Sequence, residues 1–167
     1  MTTIDCVRCL AKTNSGLRCK RSTCIYSTYC FQHFSTKYDL KLKTSTIPNS
    51  GKGLFTLKEI PRNRNVAQYT GRLITEEQYE EEDSGYGASI SNHRIVDANS
   101  TQDGIARYAN DCRILNRNQK QCNGPNVEFV VNYDNGQEVP EIWLRSTKKI
   151  LANSEIFLEY GDEYWEG

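Results

Sequence analysis

The chain has 167 residues, enough for one domain with an appendage but not for two full domains. Lys plus Arg and Asp plus Glu each number 21, and this neutrality excludes a strongly basic nucleic-acid coat or an acidic tail protein. The zero is a cancellation: residues 1–52 hold nine basic and two acidic side chains, a net +7, and the remainder carries −7, which predicts two surfaces with different partners.

Apolar residues make up 37% of the chain, with ten Tyr and five Phe supplying part of the core. No stretch of about 20 apolar residues predicts a membrane span, and the first residues lack the apolar run of a secretory signal. The seven cysteines are therefore expected to be thiols or metal ligands rather than disulfides.

In chain order, the first 37 residues are too poor in aliphatics to build an apolar core and need a staple. Five cysteines lie at positions 6, 9, 19, 24 and 30, followed by His33. Cys9, Cys19, Cys30 and His33 form C-x9-C-x10-C-x2-H, a set of soft and borderline ligands suited to tetrahedral zinc. Cys6-Val7-Arg8-Cys9 leaves open a set that uses Cys6. The stretch resembles a small zinc-binding module of the pattern RC-x-A-x-T-x-x-G-x-x-C-K-R…YC-x-x-H. Arg8, Arg18, Lys20 and Arg21 are candidates for phosphate contact, with a solvated docking arm as the equal alternative.

Alternation at Leu40 to Lys43 predicts an edge strand within 38–48, ended by Pro48 and the turn Asn49-Ser50-Gly51. Further strands are predicted at 53–57, 65–71, 90–98, 126–133, 141–148 and 155–160, with a hairpin turn at Tyr133-Asp134-Asn135-Gly136. One helix is predicted at 75–82, with Thr75 as N-cap and Gln78 closing a capping box. Residues 113–124 read as a polar insertion loop. The fold class is mainly β, built of short antiparallel sheets.

Four separated segments carry the chemistry: Gly51-Lys52-Gly53-Leu54-Phe55, Tyr69-Thr70-Gly71, Arg107-Tyr108-Ala109-Asn110-Asp111-Cys112 with Pro125-Asn126-Val127-Glu128-Phe129, and Glu155-Ile156-Phe157-Leu158-Glu159-Tyr160-Gly161-Asp162-Glu163-Tyr164-Trp165. In order and spacing they resemble the SET-domain family of protein lysine methyltransferases. The resemblance implies a SET fold over 38–167 with a pseudoknot-like C-terminal segment, preceded by the zinc module at 1–37. It implies transfer of a methyl group from S-adenosylmethionine to a lysine ε-amine. That chemistry requires a neutral amine, a narrow apolar channel to align it, and polar oxygens facing a cationic methyl.

By motif position, the resemblance makes Tyr160 the catalytic tyrosine and Tyr69 a second wall. Leu158 and Tyr108 fall in the substrate channel, where Leu158, lacking a hydroxyl, leans toward multiple methylation. Ser50, Lys52, Gly53, Tyr86, Arg107, Asn110, Asp111, Tyr164 and Trp165 fall at the cofactor. The glycines of G-x-G would let backbone approach the ligand closely. Asp111 departs from the pattern, which often carries His there, and the family's cysteine-rich C-terminal zinc segment is absent. Cys112 and Cys122 are expected as free thiols. His93 and Asp97 look like a catalytic pair but lack a partner nucleophile and are set aside.

The resemblance and charge complementarity make the expected partner a basic protein, above all a histone tail in a nucleosome. DNA would contact the basic leader, and the setting would be the nucleus. The alternatives are a methyltransferase for a non-histone protein, an inactive SET-like chromatin-binding module, and a DNA-tethering adaptor built around the zinc module.

Overall fold

The computed structural model describes residues 6–23, 28–91, 93–100, 104–112, 122–133 and 141–166. Strands β1 (Val7–Arg8) and β2 (Ser22–Thr23) pair antiparallel. Helix α1 (Phe31–Tyr38) follows and ends at Asp39, which takes a left-handed conformation with φ 54°. Strand β3 (Leu40–Thr44) then pairs with β4 (Lys52–Thr56). Next come β5 (Asn65–Tyr69), β6 (Arg72–Thr75), α2 (Glu76–Glu82), β7 (Gly87–Ser91) and β8 (Arg94–Asp97). A 3-10 turn at Ala106–Tyr108 precedes β9 (Val127–Asn132), β10 (Glu141–Ser146) and α3 (Asp162–Glu166).

The four antiparallel sheets are β1-β2, β3-β4, β6-β8-β7 and β5-β10-β9. Alternation sets which faces are buried: in β10, Ile142, Leu144 and Ser146 point inward and their neighbours are half-exposed. One cluster forms the main core and gathers Leu42, Leu54, Ala67, Val96, Ile105, Leu144 and Ile156 with others. Helix α1 couples the leader to it: His33 faces the cysteines, and Phe34, one residue on, is buried in the main core.

The mainly β expectation and most strand positions hold. Helix α2 forms with its capping box: Thr75 Oγ1 accepts from Gln78 N at 3.3 Å, and Thr75 N donates to Gln78 Oε1 at 3.0 Å. Three expectations are corrected. The strand read at 90–98 is two strands, β7 and β8, paired across a turn in which His93 is exposed, while Asp97 is buried and accepts from Ser84 Oγ at 2.5 Å. The run 155–160 is not a regular strand. It is an extended thread held by isolated bridges, antiparallel between Phe55 and Glu155 and parallel between Asn110 and Phe157. Cys112 and Cys122 form a disulfide with Cα atoms 5.4 Å apart, because the chain returns beside the buried Cys112, where Ile47 and Phe157 also pack. Helices α1 and α3 and strands β1, β2 and β6 were not anticipated. Cys24, the turn residues 134–136 and most of the 113–124 loop lie outside the described residues.

The C-terminal thread passes between β4 and the 109–112 segment. Ile156 N donates to Leu54 O at 2.7 Å and Leu158 N to Asn110 O at 3.0 Å. Asn126 completes the clasp: its Nδ2 donates to Glu155 O and its Oδ1 accepts from Phe157 N, both at 2.9 Å. This is the pseudoknot-like threading that the motif order implied.

Candidate active site and metal centre

The ligand atoms of Cys9, Cys19, Cys30 and His33 all lie within 4.8 Å of one another. The three cysteines are buried at 0%, 4% and 3% exposure, which sets them apart from surface thiols. Burial pushes the Cys30 thiol up, but hydrogen bonds from the His33 backbone, Cys9, the His33 ring and Cys19 outweigh it and bring it down to about 6. A hydrogen bond from the Arg21 backbone draws the Cys19 thiol down, but burial and the Cys30 and Cys9 thiols outweigh it and push it up. The fit to zinc therefore rests on the clustering of three thiols and an imidazole, a soft and borderline donor set. The leader's arginines work partly inward. Arg8 donates to Cys19 O and Arg18 O, and Arg18 donates to Cys9 O and Arg8 O, at 2.7–3.0 Å. Their donors knit the loops that carry the cysteines.

At the other end, a cavity is lined by Tyr69, Tyr86, Arg107, Phe129, Leu158, Tyr160 and Tyr164, among others. Its tyrosines come from β5, the β7 approach, the C-terminal thread and α3. Tyr160 OH donates to Ala109 O at 2.9 Å, and Tyr69 OH donates to Tyr86 O at 2.7 Å. Both phenol protons are therefore engaged by backbone, and each oxygen keeps only lone pairs for an incoming group. Burial pushes both phenols well above their usual range. They are protonated acceptors at neutral pH and not bases.

The cavity opens onto a groove that shares Gly87, Phe129, Tyr160 and Tyr164 with it. Glu76, Glu80 and Glu159 line the groove, with Arg94 the one basic residue among its described lining. Strand β7 contributes Gly87, Ala88, Ser89 and Ser91 to its lining, and Tyr79 fixes that strand by accepting from Gly87 N at 3.2 Å. A narrow cavity joined to a wide acidic groove can admit one side chain of a cationic peptide. Phe129 stands edge-on to Tyr69, ring centroids 5.0 Å apart. Its wall position was missed, although the P-N-x-x-F motif contains it. Glu76 and Glu80 were missed because α2 reads in sequence only as a solvated helix.

Of the other expected residues, Asn110 sits beside the cavity and donates through Nδ2 to Lys52 O at 3.0 Å, which brings G-x-G to the 109–112 segment. Asp111 is buried and joins Tyr160 and Trp165. Tyr108 is half-buried against the main core and is not among the cavity's lining residues. Ser50 closes a turn through its N–H to Ile47 O. Two of the motif's glycines also answer local structural demands. Gly51 has φ +65°, and a Cβ on Gly53 would lie 2.0 Å from Glu155 Oε1. Glu155 is itself fixed by Ser45 Oγ, Thr46 N and Thr46 Oγ1 at 2.5–2.7 Å.

One observation tests the fit of a cofactor that carries a carboxylate. The guanidinium of Arg107 lies over the Tyr86 ring at 4.0 Å and donates through Nη1 to Asn99 O, but its buried Nε has no hydrogen-bond partner among the described residues. A buried donor left unpaired is costly. A carboxylate bound at the cavity would satisfy it.

Residues 51–161 match the SET domain family. The match covers more than half of the chain, so this protein belongs to the SET-domain family, whose members are in general protein lysine methyltransferases. No curated protein matches the chain. Among the described residues, no helix is long and apolar enough to cross a membrane.

Proposed function

We propose that this protein methylates a lysine ε-amine on a basic protein, with S-adenosylmethionine as methyl donor and a histone tail as the substrate. The observation that carries the reading is the pair of tyrosines, buried Tyr69 and half-buried Tyr160, whose hydroxyl protons are turned onto backbone carbonyls at the narrow end of an acidic groove. When bound, S-adenosylmethionine would supply a methyl group on a sulfonium: the amine bonds the methyl carbon in line as the C–S bond breaks and the sulfur leaves as a neutral thioether. Arg107, Asn110 and the Lys52–Gly53 backbone would hold the cofactor, with Tyr164 and Trp165 beside it.

The protein's own residues then have separate tasks. The groove acids Glu76, Glu80 and Glu159 attract the cationic segment and orient it. Leu158, Phe129 and the tyrosine rings surround the lysine stem and exclude water, which holds the amine in line. The lone pairs of Tyr160 and Tyr69 accept from the amine N–H, so its own lone pair faces the methyl, and they stabilise positive charge as it develops on nitrogen. A free lysine amine has a pKa of about 10.4, so its proton must leave to solvent before transfer. Neither phenol is suited to take it. Leu158, which is 4% exposed, offers no hydroxyl to anchor water beside the amine, and this favours more than one round of methylation.

The nuclear setting and DNA contact belong to the same proposal. Since Arg8 and Arg18 are engaged internally and Arg21 donates to Gln32 Oε1, phosphate contact falls first to exposed Lys12 and Lys20. Incubation with nucleosomes and S-adenosylmethionine, followed by mass spectrometry of the histones, tests the whole. Di- or trimethylated lysine is expected. Transfer confined to non-histone basic proteins favours the alternative substrate, and no transfer to any basic protein, with cofactor bound, defeats the enzyme reading.

A further inference from the structure

Asp111 has no part in the chemistry above, yet it is one of the most constrained acids in the site. It is 6% exposed. Its Oδ2 accepts two hydrogen bonds, from Tyr160 N at 2.9 Å and from the Trp165 indole N–H at 3.1 Å. Two donors five positions apart in the chain thus converge on one oxygen. Between them the chain turns at Gly161, with φ +89°, and enters α3, whose Tyr164 lines both cavity and groove. Tyr164 stands edge-on to Tyr160 and to Trp165, with ring centroids 4.8 Å and 5.2 Å apart.

α3 has five residues. A helix below about 12 residues does not hold itself in water, so tertiary anchors decide where Tyr164 sits. Hydrogen bonds to an ionised acceptor are stronger than neutral ones. The geometry also demands a particular chemistry: a neutral imidazole has a single acceptor nitrogen, whereas a carboxylate oxygen can take both N–H groups. This gives a physical reason for aspartate where the SET pattern often carries histidine.

We propose that Asp111 is a positioning residue that fastens the C-terminal segment, so that Tyr164, backed by Trp165, walls the cavity and sets the affinity for cofactor. The cofactor half rests on the methyltransferase reading, whereas the anchor does not. The sequence holds two tryptophans, Trp143 and Trp165, so in a Trp143→Phe background the emission of Trp165 reports its own position. In that background Asp111→Ala shifts the emission to the red and raises acrylamide quenching. It also raises the Kd for S-adenosylmethionine about tenfold or more, as expected for loss of a charge-assisted hydrogen bond. Asp111→Asn, which keeps an acceptor oxygen, lies between. Trp165→Phe, in the otherwise native chain, removes the indole donor but keeps the acid and its bond to Tyr160 N, and weakens cofactor binding while the fold persists, which separates the anchor from general unfolding. Unchanged Trp165 emission in both Asp111 variants overturns the anchor. A displaced Trp165 with unchanged cofactor Kd overturns its role at the cavity. A parent protein that binds no S-adenosylmethionine overturns the methyltransferase reading instead, and the emission comparison then decides the anchor by itself.

Discussion

The Tyr160 hydroxyl donates to the carbonyl oxygen of Ala109 at 2.9 Å. This bond joins the two motif segments that sequence separates by about fifty residues. It also fixes what the phenol can do: its proton is directed at the protein and its lone pairs at the cavity. An acceptor so placed can orient an amine and favour the charge that grows on it, but it cannot itself give up a proton at neutral pH.

Tyr160→Phe removes one oriented oxygen and keeps the ring. A kcat loss of about a hundredfold or more is expected, as for other single groups aimed at developing charge, with cofactor affinity nearly unchanged. Single-turnover methyl transfer together with calorimetric cofactor binding checks both halves.

The same burial gives a stability signature at alkaline pH. Tyr69 and Tyr160 are held well above the ordinary phenol value of about 10 in the folded state. Above pH 10 the unfolded chain loses these protons and the folded chain keeps them. The unfolded state then binds fewer protons, so stability falls as pH rises. The contribution is fully present below about pH 10. Urea unfolding at pH 9 and pH 11 should show a smaller alkaline loss in the Tyr69→Phe and Tyr160→Phe variants than in the parent.

Gly53→Ala tests the close approach under the cofactor motif. The new methyl would lie 2.0 Å from Glu155 Oε1, and Glu155 cannot swing away without releasing Ser45, Thr46 and Asn110. A cost of about 1–3 kcal/mol is expected, the range for overpacking. Thermal melting reads it as a lower Tm. Gly51→Ala instead meets open space and is penalised only through its positive φ, so it should cost less.

Metal removal tests the leader. The cluster of Cys9, Cys19, Cys30 and His33 should carry about one zinc per chain. Chelation should unfold 1–37 and, through Phe34 in the main core, lower the Tm of the whole protein. Cys30→Ser should reproduce both effects in elemental analysis and melting. Full stability with no bound metal would sink the assignment.

The sequence by itself determined the features whose cause is local. Thr75 and Gln78 satisfy each other three residues apart, so the capping box of α2 was legible, and alternation at period two marked β3 and β10. The spacing of Cys9, Cys19, Cys30 and His33 marked a metal site because a closed set of soft ligands has few other uses. The ordered motifs marked the SET fold. Tertiary structure alone decided the rest. Residues 155–160 look like a strand, but their backbone partners are Leu54, Asn110 and the side chain of Asn126, so they form a thread instead. Helix α1 is fixed by His33 at the cluster and Phe34 in the core, neither of which leaves a local signal. The pairing of Cys112 with Cys122 and the convergence of Tyr160 and Trp165 on Asp111 depend on where distant chain segments meet. Short-range patterns encode contacts within a turn or a strand. A buried acid shared between two segments is specified only once packing has brought them within hydrogen-bond distance.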